Sequence, residues 1–136
     1  MLREKSQKLI EEFYKHFNAK DLDKMYAMLS DNVQHEMNDG GMQKGKAAFV
    51  KMIQDSTKNY QENVDNVIYM VSDDGKHVAT KFTFKGKYIS TDESNIPAKG
   101  QSYQANAINY FDIENGKIVT AMCWYNHQDW IKQVSK

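Results

Sequence analysis

His35 and Glu36 are neighbours in this sequence, and both are residue types that carry protons in chemistry near neutral pH. A glutamate placed among apolar groups has its charged form disfavoured and its pKa raised, which suits it to act as a base. Side chains alternate along a regular strand, so one of these two neighbours is expected to point inward. If Val33 and Met37 face inward, Glu36 shares the solvent face with Gln34 and Asn38. A bulge at the strand end would turn it in instead. The pattern leaves both choices open, with His35 as the acid or base if Glu36 faces out. His16 falls on a polar helix face, His77 beside a turn and His127 ahead of the last helix, positions expected to be structural or solvated. Cys123 stands mid-strand with no base placed beside it and reads as a small apolar filler.

Two further patterns fail on one residue each. Gly40-Gly41-Met42-Gln43-Lys44-Gly45-Lys46-Ala47 approaches a phosphate-binding loop, but Ala47 replaces the hydroxyl residue that would hold magnesium. His35-Glu36-Met37-Asn38-Asp39 approaches a two-histidine zinc motif, with Asp39 where the second histidine must stand. No metal and no cofactor is expected.

The elements that must position these residues follow from periodicity. Leu9, Ile10, Phe13, Tyr14 and Phe17 share one face of a first helix, and Asp21 is placed to cap a second carrying Leu22, Met25, Tyr26 and Leu29. Ser30-Asp31-Asn32 reads as a turn, Val33 to Met37 as a short strand, and Gly45 as the start of a third helix with Ala48, Phe49, Met52 and Ile53 inward. From Val64 the period becomes two. A strand to Val71 and a turn over Ser72 to Lys76 lead into a strand with Val78, Thr80, Phe82, Phe84 and Tyr88 on one side. Ile89 to Gln101 is irregular. Tyr103 to Ile113 and Lys117 to Tyr125 form a second hairpin, and a short terminal helix carries Trp130, Ile131 and Val134.

Helices first and antiparallel strands after argue an α+β fold, with helices packed on one face of a curved sheet. The 136 residues suit one domain, 1–136, and 40% hydrophobic with 26% charged content is ordinary for a globular chain. Eighteen basic and eighteen acidic residues cancel, so no nucleic acid and no membrane is expected as a partner. A single cysteine and no long apolar segment make the cytoplasm the expected location. The last hairpin is apolar on both faces. Tyr110, Met122 and Trp124 lie on its outer side, where a solvated sheet would not need them, and predict a homodimer interface.

The motifs Phe13-Tyr14, Asp21-Leu22, Leu29 to Val33, Gly45 to Phe49, Tyr110 to Ile118 and Trp124 to Trp130, in this order, resemble the nuclear-transport-factor-2-like superfamily. Within it the chain resembles the SnoaL-like and ketosteroid-isomerase-related group. The resemblance implies a cone of helices and a curved, mostly antiparallel sheet enclosing a pocket, the cystatin-like arrangement. It also implies an apolar small molecule as ligand. By the same resemblance Glu36 takes the position of the base that moves a proton between carbons. The two oxyanion positions fall on Phe13 and Ala107, neither of which can donate a hydrogen bond. A slip of one residue brings Tyr14 into that role. Asn109 and Tyr125 are the other polar groups expected to face the pocket, with Phe82, Phe84, Val119 and Ala121 as its walls. Three readings follow: a proton-transfer enzyme of isomerase or cyclase type, a non-catalytic ligand-binding protein, and a dimerising scaffold with a vestigial cavity.

Overall fold

In the computed structural model, which describes residues 2–38 and 40–136, helix α1 spans Leu2–Ala19 and buries Ser6, Ile10, Phe13 and Tyr14. Those positions recur at the spacing of one helix face, so a single stripe docks on the sheet. The Ser6 hydroxyl donates to the Gly75 carbonyl at 2.5 Å and ties the start of α1 to a strand turn. Gly75 sits at φ +73, and a Cβ there would stand 2.7 Å from the Leu2 backbone, so this close approach requires glycine.

Helix α2 (Leu22–Tyr26) follows Asp21 and leads into strand β1 (Leu29–Glu36). A three-residue strand β2 (Met42–Lys44) and helix α3 (Lys46–Asn59) come next. Strands β3 (Tyr60–Val71), β4 (His77–Tyr88), β5 (Gln101–Glu114) and β6 (Lys117–Tyr125) then run to helix α4 (His127–Val134), capped by Asn126. None of the described helices is long and apolar enough to cross a membrane.

The six strands make one sheet in the order β2-β1-β6-β5-β4-β3. Neighbours are antiparallel except β1 and β6, which run parallel. The inward row expected on β4 is found: Val78, Thr80, Phe82, Phe84 and Tyr88 are all buried. β1 starts earlier than its turn-like Ser30-Asp31-Asn32 suggests, and its register against β6 shifts between Leu29 and Gln34. β3 is an edge strand, interrupted by a register shift between Asp65 and Ile68, where Asn66 takes φ 54.

The fold differs from expectation in one respect that bears on function. The fold is α+β and the sheet antiparallel but for one pair, yet it is open, neither closed nor strongly curled, and does not enclose the expected pocket. Four strands lie between the edges β2 and β3, and β2 is only three residues long. Beneath α1 and α4, aromatic rings on the inner face meet one another directly. Phe13 meets Phe111 at 5.6 Å, Tyr14 meets Phe82 at 5.5 Å and Tyr88 meets Trp130 at 5.2 Å, mostly edge to face.

Candidate functional site

Thr80 on β4, Asn109 on β5 and Cys123 on β6 are successive partners across three adjacent strands, so their side chains share the inner face. α1 lowers Tyr14 onto this row. The Tyr14 hydroxyl lies 2.5 Å from Thr80 Oγ1, and Asn109 Nδ2 donates to it at 3.0 Å. If Thr80 donates as well, the Tyr14 oxygen accepts two hydrogen bonds and its own proton is free for another acceptor. Burial drives the Tyr14 pKa far above that of an ordinary phenol, against the smaller opposing effect of its two partners. Tyr14 is therefore a neutral donor throughout the physiological range. Among the described residues Asn109 Oδ1 is buried without a partner, an arrangement that costs about 1–3 kcal/mol unless a further donor arrives. Burial raises the Cys123 thiol to about 12, with Glu62 adding to the shift, so the sulfur stays protonated.

His35 lies one row away, on β1 opposite Ala121. It is buried, with its ring edge to face with Phe49 at 4.8 Å. Burial lowers its pKa, which keeps it neutral at pH 7. Among the described residues its Nδ1 has no partner, and neither does the buried Oε1 of Gln43, directly opposite on β2. Among the described residues, no three carboxylate, histidine or cysteine groups converge as a metal would require.

These placements answer the choice between neighbours. Alternation over the regular Gln34–Glu36 stretch puts Glu36 on the face opposite His35, half-buried between Met42 and Met122. The inner face brings together Tyr14, Asn109, Phe82 and Ala121, with Phe84 against Tyr125 at 5.4 Å and Val119 half-buried. Tyr110, Met122 and Trp124 lie on the outer face with Glu36. There Tyr110 joins His77 and Asp112, which are 2.6 Å apart, in an exposed cluster. Thr80 and Gln43 were missing from the expected site. A single threonine in the apolar row from Val78 to Phe84 was the available signal for the first, and no periodic pattern marked the second.

Two clefts lie elsewhere. One of about 460 Å³ is lined by Arg3, Tyr69, Met70, His77 and Tyr110. The other, about 690 Å³, lies between the start of α1 and two strand turns. Neither is lined by Tyr14, His35 or Asn109. The buried polar row therefore lies apart from these open clefts.

Comparison with known proteins places this arrangement. The model of the SnoaL-like domain matches residues 10–121. A protein from Xanthomonas campestris pv. campestris, described as a candidate polyketide cyclase, is 33% identical, with 99% of this chain and 100% of that one covered and a TM-score of 0.96. A Pseudomonas putida KT2440 protein described in the same terms is 35% identical over 94% of this chain and 96% of its own, with a TM-score of 0.92. A third, from Silicibacter sp. TM1040, is 34% identical over 96% of each chain, with a TM-score of 0.93. Comparison with curated proteins found no match. The chain belongs to the SnoaL-like family, within the nuclear-transport-factor-2-like superfamily.

Proposed function

We propose that this protein binds an apolar carbonyl-bearing small molecule against its inner sheet face and moves a proton on it, as an isomerase or cyclase does. The observation that carries this reading is the buried Tyr14–Thr80–Asn109 chain, with Asn109 Oδ1 left unpartnered. It offers a phenol proton to a carbonyl oxygen and an amide oxygen to a ligand hydroxyl. An oxyanion formed on the ligand would be held by Tyr14, whose proton is not lost to solvent at working pH. His35, neutral with an unpartnered nitrogen, is a second group able to exchange a proton. The three bacterial relatives support cyclase-type chemistry on a polyketide, a class rich in ketones and phenols.

A non-catalytic binder is the second reading, favoured by Phe13 and Ala107 at the two positions where related isomerases hold their oxyanion donors. In either case we assign the outer face of β5 and β6 as a homodimer contact.

The experiment is a thermal and fluorescence titration with 2-tetralone and 2-naphthol. Binding at 100 times the dissociation constant stabilises the fold by about 2.7 kcal/mol, and Tyr14→Phe weakens it. Absence of any shift with both compounds, or affinity unchanged in Tyr14→Phe, removes the inner-face site.

A further inference from the structure

His77 on β4 and Asp112 on β5 are register partners, and the next row on the same outer face aligns Met70, Ala79 and Tyr110. His77 Nδ1 lies 2.6 Å from Asp112 Oδ1. A carboxylate only accepts, so in the neutral ring Nδ1 carries the proton. The Tyr110 hydroxyl, 2.7 Å from Nδ1, donates to the same Asp112 oxygen. Two donors on one carboxylate fix the tautomer. The other ring nitrogen, Nε2, is then a bare acceptor with no hydrogen bond among the described residues.

These groups border the outer-face cleft of about 460 Å³, a volume in the range of small-molecule sites. Ala79 places only a methyl between Met70 and Tyr110, which leaves a depression over β4 walled also by Tyr69 and Val71. Arg3, near the start of α1, lines the same cleft, and among the described residues no carboxylate pairs with it. The carboxylates nearest His77 are engaged elsewhere. Asp112 holds His77 and Tyr110, and Asp74 accepts from the Ser72 hydroxyl and the Lys76 backbone.

A guanidinium, an accepting ring nitrogen and apolar walls therefore meet in one cleft. A plain carboxylate suits Arg3 but is repelled by the lone pair of Nε2. A phosphate dianion is disfavoured further, with Asp112 and Asp74 beside the ring. An aromatic ring carrying both a carboxylate and a hydroxyl satisfies all three surfaces.

We propose that this cleft binds a hydroxylated aromatic carboxylate, with the carboxylate on Arg3, the hydroxyl donating to His77 Nε2 and the ring against Met70, Ala79 and Tyr110. Asp112 is a positioning residue that acts through the tautomer of His77. The site stands on the face opposite Tyr14 and does not depend on the proton-transfer reading. Of Tyr110, Met122 and Trp124, assigned to the dimer contact, it takes in Tyr110 alone.

The test is calorimetric titration of the full chain with 3-hydroxybenzoate and 4-hydroxybenzoate, against benzoate and phenol. One of the hydroxybenzoates binds with a dissociation constant of about 1 mM or tighter, as suits a ligand of about ten heavy atoms. Benzoate and phenol bind about threefold more weakly or worse. Arg3→Gln weakens hydroxybenzoate binding by about tenfold or more. Lys8→Gln, exposed on α1 and outside the cleft, leaves it unchanged. Asp112→Asn puts an amide donor opposite Nδ1 and moves the ring proton to Nε2, so benzoate then binds as well as hydroxybenzoate. Nuclear Overhauser contacts from the ligand ring to the Met70 and Ala79 methyls locate it. Absence of binding by both hydroxybenzoates, equal binding of benzoate by wild type, an unaffected Arg3→Gln or contacts elsewhere overturns the site. A preference for the hydroxyl retained in Asp112→Asn overturns the role of Asp112.

Discussion

The Tyr14 hydroxyl and Thr80 Oγ1 stand 2.5 Å apart, joining the first helix to the middle of the sheet across 66 residues of sequence. Thr80 is fully buried, and it orients the phenol as well as anchoring α1. Thr80→Val keeps the shape and removes the oxygen. The variant is expected to lose about 1–3 kcal/mol of stability in urea unfolding, because Tyr14 is left with Asn109 alone. It should also weaken 2-tetralone binding.

His35 makes stability depend on pH in a defined direction. Its folded pKa lies below the ordinary 6.5 because burial disfavours the charged ring. The unfolded chain therefore binds the proton first as pH falls. The stability that neutral His35 permits is fully present above about 6.5 and is lost progressively as pH drops from there toward the lowered folded value. Urea midpoints between pH 5 and 8 should rise with pH in wild type relative to His35→Leu. A parallel pair of curves would show that this ring is not the source.

Much of this was legible in the sequence, for reasons that differ by element. The row Val78-Thr80-Phe82-Phe84 is buried throughout, and only Thr83 breaks the alternation of burial beside it, so β4 and its inward face could be read directly. β2 could not, since three residues carry no period. Ser30-Asp31-Asn32 has the composition of a turn but lies in β1, where pairing with β6 is irregular. The hydrogen bond from Tyr103 to Glu62 was hidden because Tyr60 to Asn63 is polar and the partners lie 41 residues apart. The openness of the sheet depends on how rings pack between layers, which periodicity does not encode.

Glu62 on β3 accepts from the Tyr103 hydroxyl on β5 across Gly86, the register partner of both, and Gly86→Ala should separate them without changing either. The added methyl would fall within 3 Å of both side chains, so one must rotate away. Loss of a hydrogen bond to a buried carboxylate is expected to cost about 1.5–3 kcal/mol, read as a lowered unfolding midpoint. A variant as stable as wild type would mean that the pair contributes nothing to the fold.

The outer face gives a prediction about assembly. Trp124 is 46% exposed, its partner Ile108 43% and Ile68, in the same cross-strand row, 57%, on a sheet face that no described element covers. Sedimentation at micromolar concentration should give a dimer for wild type and a monomer for Trp124→Glu, which would place an unpaired charge in the contact. An unchanged sedimentation coefficient would move the contact elsewhere.

One carboxylate gathers several of the bonds that hold the segment between β4 and β5. Asp92 accepts from the hydroxyls of both Tyr60 and Tyr88, and from the Ser94 backbone. Asp92→Ala should leave the sheet folded yet speed hydrogen exchange and proteolysis across residues 89–100, detectable by mass spectrometry. Protection equal to wild type would assign the anchoring to the Tyr88–Ile96 bond instead.

The kink in β3 has a consequence for the chain in a crowded solution. A straight twelve-residue edge carrying Ile68 and Met70 would be a template on which the strand of another molecule could zip, and then another. Asn66, in its left-handed conformation, puts the two halves of the edge out of phase, and on the first half Asn18 and Lys20 already bond the backbone of Val64 and Glu62. An incoming strand can pair with one half of the edge but not continue along the other, so growth into fibrils stops at the bulge.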